Sequence, residues 1–316
     1  MMKRRELLFG SAAAALAGAP QQGHYTVGIT TNTRGGWEKD VFLSFREAHE
    51  VGYRNVETFI SYFHKDYWTK PQELKKRIGE IGVRFVTISN SGPLEMHFED
   101  PSRHEKVVED HVALGRYIRN FGCTHLKINL GPRRAEGTTK EDLKQIAKVL
   151  NILGKRLTGE GVKLAIHAHM WNQFENRAEI EAVLGATDAR HVWFVLDTGH
   201  ITMAGMDPVK LAGELGHRIV EFHMKDTKPA WRGGAPKRLE RPDMMADPPF
   251  FALGSGGVDF GGLKAHLDSI GWRGFLTVEL DTSPMRPPKE SARKSFAYLR
   301  KELGLPEEAF RARPGS

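Results

Sequence analysis

The chain of 316 residues contains one cysteine, Cys123. That excludes an internal disulfide and a thiolate zinc cluster, so any metal must be held by histidines and carboxylates. Past the first nineteen residues no apolar run approaches the roughly 18 residues a membrane span needs, so no stable membrane insertion of the mature chain is expected. Blocks of Lys and Arg are missing as well. The formal charge is +7, but the basic residues alternate with acids along polar faces, so a nucleic-acid partner is not expected. No Gly-x-x-x-x-Gly-Lys phosphate loop occurs, which disfavours a phosphorylated ligand. Short-period repeats and low-complexity tracts are absent. With 40% hydrophobic and 27% charged residues the composition is that of an ordinary globular protein.

What is present begins with Lys3-Arg4-Arg5, then a short weakly apolar run ending Ala17-Gly18-Ala19. Adjacent arginines, a short h-region and a small-x-small end describe a twin-arginine export signal over residues 1–19, which places the mature protein outside the cytoplasm, in the periplasm. Without that segment, which carries Lys3, Arg4, Arg5 and Glu6, the charge falls to +5.

From residue 24 onward, β-branched runs alternate eight times with amphipathic stretches of helical period. The expected strands are Tyr25–Thr30, Asn55–Phe59, Val83–Ile88, His125–Leu130, Val162–His167, Val192–Asp197, Ile219–Met224 and Phe275–Leu280. Gly52, Gly82, Gly122, Gly185, Gly216 and Gly271 follow the helical stretches, where a left-handed residue ends a helix without Cβ strain. Eight such units over residues 24–305 fit a single α/β (β/α)8 TIM barrel, with 306–316 as a C-terminal tail. A two-domain α/β protein is the competing architecture. The Pro- and Gly-rich gap from Thr227 to Gly257 follows the seventh strand, so it is expected to overhang the C-terminal face as a lid.

Chemistry collects at the carboxyl ends of the last four strands. With a side-chain period of two, His167 and His169 share a face, as do His223 and Lys225, and Glu279 and Asp281. Burying so many polar groups without partners would cost several kcal/mol each. One divalent ion held by His167, Asp197, His223 and Glu279 resolves the conflict, and mixed nitrogen and oxygen ligation suits Mn, Co, Zn or Fe. Around it, His169, His200 and Glu279 are the candidates for proton transfer, and Lys225 is the candidate to bind a substrate hydroxyl or stabilise developing negative charge. Lys127 and Asn129 alternate on the fourth strand and are expected to face the cavity and bind substrate. Trp37, Trp171 and Trp231 are candidates to stack on the apolar face of a ring-shaped ligand, Trp171 foremost.

The motifs His-x-His-Met at 167–170, Leu-Asp-Thr-Gly-His at 196–200, Ala-Gly-Met-Asp-Pro at 204–208, His-Met-Lys-Asp at 223–226, Gly-Gly-Val-Asp-Phe at 256–260 and Val-Glu-Leu-Asp at 278–281 together resemble the xylose isomerase-like TIM-barrel superfamily of sugar isomerases and epimerases. Within it they look most like the inosose dehydratase relatives. The resemblance implies that Asp197, His223 and Glu279 are metal ligands and that Glu57, at the end of the second strand, lies near the substrate. Many isomerases of the superfamily carry a glutamate where this chain has His167, a departure that counts against a two-carboxylate epimerase mechanism. The implied substrate is a small keto-sugar or cyclic polyol ketone that loses an α-proton to give an enediolate, followed by isomerisation, epimerisation or elimination. Two other classes compete: an apurinic endonuclease-like phosphodiesterase, whose additional metal-binding histidines are not found here in matching motifs, and a non-catalytic sugar-binding module. Oligomeric state is not legible in the sequence.

Overall fold

The computed structural model describes residues 23–237 and 247–313. The expected leader lies outside these residues. The strands are β1 (His24–Thr30), β2 (Asn55–Phe59), β3 (Arg84–Ser89), β4 (His125–Ile128), β5 (Lys163–His167), β6 (Val192–Asp197), β7 (Ile219–Met224), the short β8 (Asp226–Thr227) and β9 (Phe250–Phe251), and β10 (Arg273–Val278). The helices are α1 (Val41–Val51), α2 (His64–Tyr67), α3 (Pro71–Ile81), α4 (His104–Arg119), α5 (Lys140–Gly159), α6 (Arg177–Gly185), α7 (Thr198–Met203), α8 (Pro208–Leu215), α9 (Phe260–Ser269) and α10 (Pro288–Lys301).

Eight strands form one parallel sheet in the order β3-β2-β1-β10-β7-β6-β5-β4, so the chain runs once around a barrel, as the eight alternations imply. The ends of that order, β3 and β4, join through side chains. Thr87 Oγ1 donates to the His125 carbonyl at 2.9 Å, and the Asn90 amide accepts from Asn129 N at 2.8 Å and donates to Asn129 O at 3.0 Å.

Strand alternation separates two interiors. Leu126, Ile128, Leu164, Ile166, Phe194, Leu196, Phe222 and Met224 belong to the apolar core between sheet and helices. Their sequence neighbours His125, Lys127, His167, Asp197, Glu221 and His223 are equally buried but polar, and they point the other way, into the lumen. There they pair: His125 Nε2 with Glu221 Oε2 at 2.8 Å, and Lys127 Nζ with Glu57 Oε1 at 2.9 Å.

Helix starts follow the expected chemistry. Asp40 caps α1, and capping boxes Thr139/Asp142 and Asn176/Glu179 open α5 and α6. Of the glycines expected to end helices, Gly52, Gly82, Gly122 and Gly271 have positive φ, whereas Gly185 and Gly216 do not. Gly185 closes α6 as its last helical residue, and Gly216 continues from α8 into a 3-10 turn, so neither needs the left-handed conformation. In the C-terminal segment, Ala309 and Phe310 are buried, and the Asn55 side chain bonds Arg311 O and Arg313 N, which fastens the segment to the barrel's amino-terminal floor.

Candidate metal centre

Asp197 closes β6 and at the same time caps α7. Its Oδ1 accepts from Gly199 N at 2.8 Å and His200 N at 2.9 Å, which fixes the carboxylate and aims Oδ2 into the lumen. The segment after β6 is therefore a one-and-a-half-turn helix carrying His200. Gly199 is required for close approach: a Cβ there would stand 2.7 Å from Cγ and Cδ of Lys225.

One ligand atom from each of His167, Asp197, His223 and Glu279 lies within 4.8 Å of the other three. Four strand ends thus bring together the four residues expected as metal ligands. His167 Nε2 and Asp197 Oδ2 are 3.4 Å apart and both buried; the imidazole nitrogen has no hydrogen-bond partner, and the carboxylate oxygen has the Lys225 ammonium 3.0 Å away. A buried, unpartnered imidazole nitrogen facing a carboxylate oxygen, with two further ligand-type side chains in reach, is an arrangement a cation would satisfy, so the residues present fit a divalent ion.

Electrostatics around the quartet are steep. Burial pushes the Asp197 carboxyl up, to about 7, against the pull of the Lys225 ammonium. Burial opposes protonation of His223, but the Glu279 and Glu57 carboxylates outweigh it and raise that imidazole to about 10. The same contacts work on Glu279: despite burial, His223 Nδ1 at 2.6 Å and Lys225 Nζ at 3.1 Å hold it well below the usual carboxylate range. His167 is kept neutral chiefly by burial.

Lys225 occupies the gap between the quartet and a second trio, His169, His200 and Asp281. Its Nζ lies 3.0 Å from Asp197 Oδ2, 3.0 Å from Asp281 Oδ1 and 2.9 Å from His200 Nε2. The trio also has metal-ligand spacing, yet a second cation there would face the ammonium directly. That weighs against the multi-metal phosphodiesterase arrangement.

The ammonium must donate to His200 Nε2, so the His200 proton sits on Nδ1. His169 Nδ1 donates to the Met170 carbonyl at 2.7 Å, which leaves Nε2 as an acceptor. The two rings lie 3.7 Å apart at their centroids, and burial lowers both pKa values.

Glu57 and Lys127 pair with each other beneath the quartet, and Glu57 Oε2 also meets His223 Nε2 at 3.2 Å. Asn129, expected to bind substrate, turns its Oδ1 to His167 Nδ1 at 2.8 Å. The expected stacking role of Trp37 does not survive: it is buried and its indole N–H donates to Glu47, a packing position. Trp171, at φ 66, and Trp231 lie half-buried against Met170, Met203 and Phe250. Phe250 comes from the long segment after β7. Pairing of β9 with β8 sets its ring 5.5 Å from His200 and 4.8 Å from the Lys225 ammonium. Asp226 fastens the returning chain by accepting from Gly256 N and Val258 N; a Cβ on Gly256 would run into the Thr227 carbonyl at 1.9 Å.

A family profile described as xylose isomerase-like TIM barrel matches residues 45–302. The chain belongs to that family. Among curated relatives, the inosose dehydratase of Clostridium botulinum is 27% identical over 280 residues, 85% of this chain and 83% of the relative. Two solved structures share the fold: the Escherichia coli 3-keto-D-glucoside 4-epimerase YcjR (TM-score 0.67, 16% identity, 87% of this chain and 99% of that one) and the IolI protein with a bound zinc atom (TM-score 0.67, 17% identity, 89% and 100%).

Three residues of the centre and the seam were given no role from the sequence. Asp281 was placed on the face of Glu279 without a function, and Glu221, two residues before His223 on the same strand face, could have been flagged by the same alternation. Asn90 carried no motif and no such signal.

Proposed function

We propose that the protein is a metal-dependent sugar isomerase, epimerase or inosose dehydratase-like lyase that removes an α-proton from a neutral keto-sugar, keto-glycoside or cyclic polyol ketone. The observation that carries the reading is the buried His167 Nε2, which has no hydrogen-bond partner and faces Asp197 Oδ2 at 3.4 Å, at the centre of a quartet that His223 and Glu279 complete. A divalent ion there, of the Mn, Co, Zn or Fe type, supplies Lewis acidity to a carbonyl oxygen.

The protein's own groups do the rest. Lys225, held cationic by three carboxylates, offers positive charge and N–H donors to an oxygen that gains negative charge as the proton leaves. Burial keeps His169 neutral near pH 7, and with Nδ1 donating to the Met170 carbonyl its Nε2 is left as an acceptor at the mouth of the cluster, so it takes the proton. Glu279, also expected as a base, is weakened for that role by its bonds to His223 and Lys225. His200, with its proton on Nδ1, donates to a substrate hydroxyl. Trp171 and Trp231 border the same mouth and contact the apolar face of the ring. Return of the proton gives an isomer or epimer; loss of a β-oxygen gives an enone.

The curated inosose dehydratases support the lyase branch, and the keto-glucoside epimerase fold supports a keto-sugar substrate. The arginine-containing leader adds export to the periplasm as part of the proposal, to be checked by fractionation and by the mass of the mature chain. Incubating metal-loaded protein with a panel of keto-sugars in deuterated water tests the chemistry: exchange at the α-carbon is expected, with either isomer formation or enone absorbance. Indifference to chelators, or no exchange with any of the four metals, overturns it.

A further inference from the structure

His167 differs from the other three members of the quartet in how it is held. Its Nδ1 is 2.8 Å from Asn129 Oδ1, an oxygen that can only accept, so the ring proton sits on Nδ1 and the lone pair on Nε2. Asn129 is held in turn at both backbone groups by one side chain, Asn90: Asn129 N donates to Asn90 Oδ1 at 2.8 Å, and Asn90 Nδ2 donates to Asn129 O at 3.0 Å. The backbone N–H settles which end of the Asn90 amide is oxygen. Asn90 Nδ2 also donates to His111 Nε2 at 2.9 Å, and His111 Nδ1 donates to the Val107 carbonyl of α4 at 2.7 Å. Burial holds His111 down, to about 4, so it is neutral and able to accept at Nε2. Every donor in this series meets an acceptor without conflict.

The series runs through the β3–β4 seam, the place in the barrel where backbone ladders give way to side chains. An amide side chain has the same donor and acceptor as a peptide unit, and Asn90 replaces the missing ladder with one side chain.

We infer that Asn90 and Asn129 are positioning residues for the metal ligand His167: the amide that closes the seam also fixes the tautomer and orientation of the imidazole, so that closing the barrel and presenting Nε2 are one event. This rests on the metal reading above. A ligating imidazole bound through one nitrogen is commonly oriented by an acceptor on the other, and loss of such an acceptor costs about 10- to 100-fold in metal affinity. Here the acceptor is a neutral amide, and it is itself held by a buried polar chain that ends on a helix carbonyl.

Two measurements separate this inference from the metal reading. In 15N-labelled wild-type protein freed of metal by chelation, long-range 1H–15N correlation reports the His167 tautomer; Nδ1–H is expected, and Nε2–H overturns the inference whatever the protein binds. Cobalt(II) affinity by competition with a chromophoric chelator, with the visible cobalt spectrum, is the second. Asn129→Leu is expected to bind cobalt about 10- to 100-fold more weakly and to alter its spectrum. Asn129→Asp, which keeps an acceptor on Nδ1, should stay within about threefold of wild type. Asn90→Leu should lose the Nδ1–H preference of His167. Asn129→Leu that binds cobalt like wild type while melting at the same temperature removes the positioning role. Wild type that binds no cobalt removes the metal reading, and the tautomer measurement still decides the clamp.

Discussion

Replacing Lys225 by methionine isolates the most heavily contested charge in the lumen. Its Nζ stands 3.0 Å from Asp197 Oδ2, 3.1 Å from Glu279 Oε2 and 3.0 Å from Asp281 Oδ1, and Lys225 is fully buried. Methionine fills most of the stem's volume, so lost packing is a small part of the effect. The large part is the loss of the ammonium among three carboxylates. Removing one partner from a buried ion pair costs about 3–5 kcal/mol, because the remaining charge stays buried and uncompensated. Unfolding entropy for a domain of roughly 290 residues is roughly 0.6 kcal/mol/K near 60 °C, so the melting temperature should fall by about 5–8 °C at pH 8. The deficit depends on pH in a definite direction. With the cation gone, the folded-state pKa values of the nearby carboxyls rise above their unfolded values, so stability is full at low pH and is lost as pH rises through those folded pKa values. The gap between variant and wild type should therefore be smaller at pH 5 than at pH 8. Calorimetry across that range checks it. A variant within a degree of wild type at pH 8, or a gap that widens on acidification, refutes the account of Lys225 as the counter-charge of the quartet.

Burial depresses His111 from 6.5 to about 4, so the unfolded chain binds the extra proton first. Stability should fall as pH drops through that window, by about 3 kcal/mol in total from this group, and His111→Gln should flatten that part of the denaturant-measured stability curve. Gly199→Ala must displace the Lys225 stem and should lower both melting temperature and turnover, whereas Gly79→Ala, which meets nothing within 4 Å, should be neutral or slightly stabilising. His169→Ala is expected to slow α-proton exchange by about 100- to 10,000-fold while cobalt affinity stays near wild type; a matching loss of affinity would make His169 a ligand and not the base. A chelator should lower the melting temperature of metal-loaded protein, by about 4 kcal/mol of linkage if the ion was present at a thousand times its dissociation constant, and an Asp197→Ala variant should not respond.

The barrel and its centre were readable in advance for the same reason. A parallel strand shows alternate residues to alternate sides, and the seven right-handed crossovers between eight strands place all their carboxyl ends at one rim, so His167, Asp197, His223 and Glu279 had to converge once they fell on the correct face. Lys127 was placed toward the cavity by the same rule and Glu57 by the family resemblance, but their pairing with each other was not foreseen, because alternation gives a residue's side and says nothing about depth along the barrel axis. Trp37 shows the opposite failure: a tryptophan near a strand end was read as a ring-stacking group, and its packing against α1 depends on a helix position that local pattern does not specify.

The sequence by itself determined which faces are apolar, where helices start, and which ligand-type residues reach the rim, since all of these follow from short-range periodicity and caps. Tertiary structure alone decided that Lys225 holds three carboxylates, that Phe250 lies against His200, and that Asn90 closes the β3–β4 seam and points Asn129 at His167. Those facts depend on which strands, far apart in the chain, come within about 3 Å of one another, and hydrogen-bond direction at that distance is set by partners no local pattern contains.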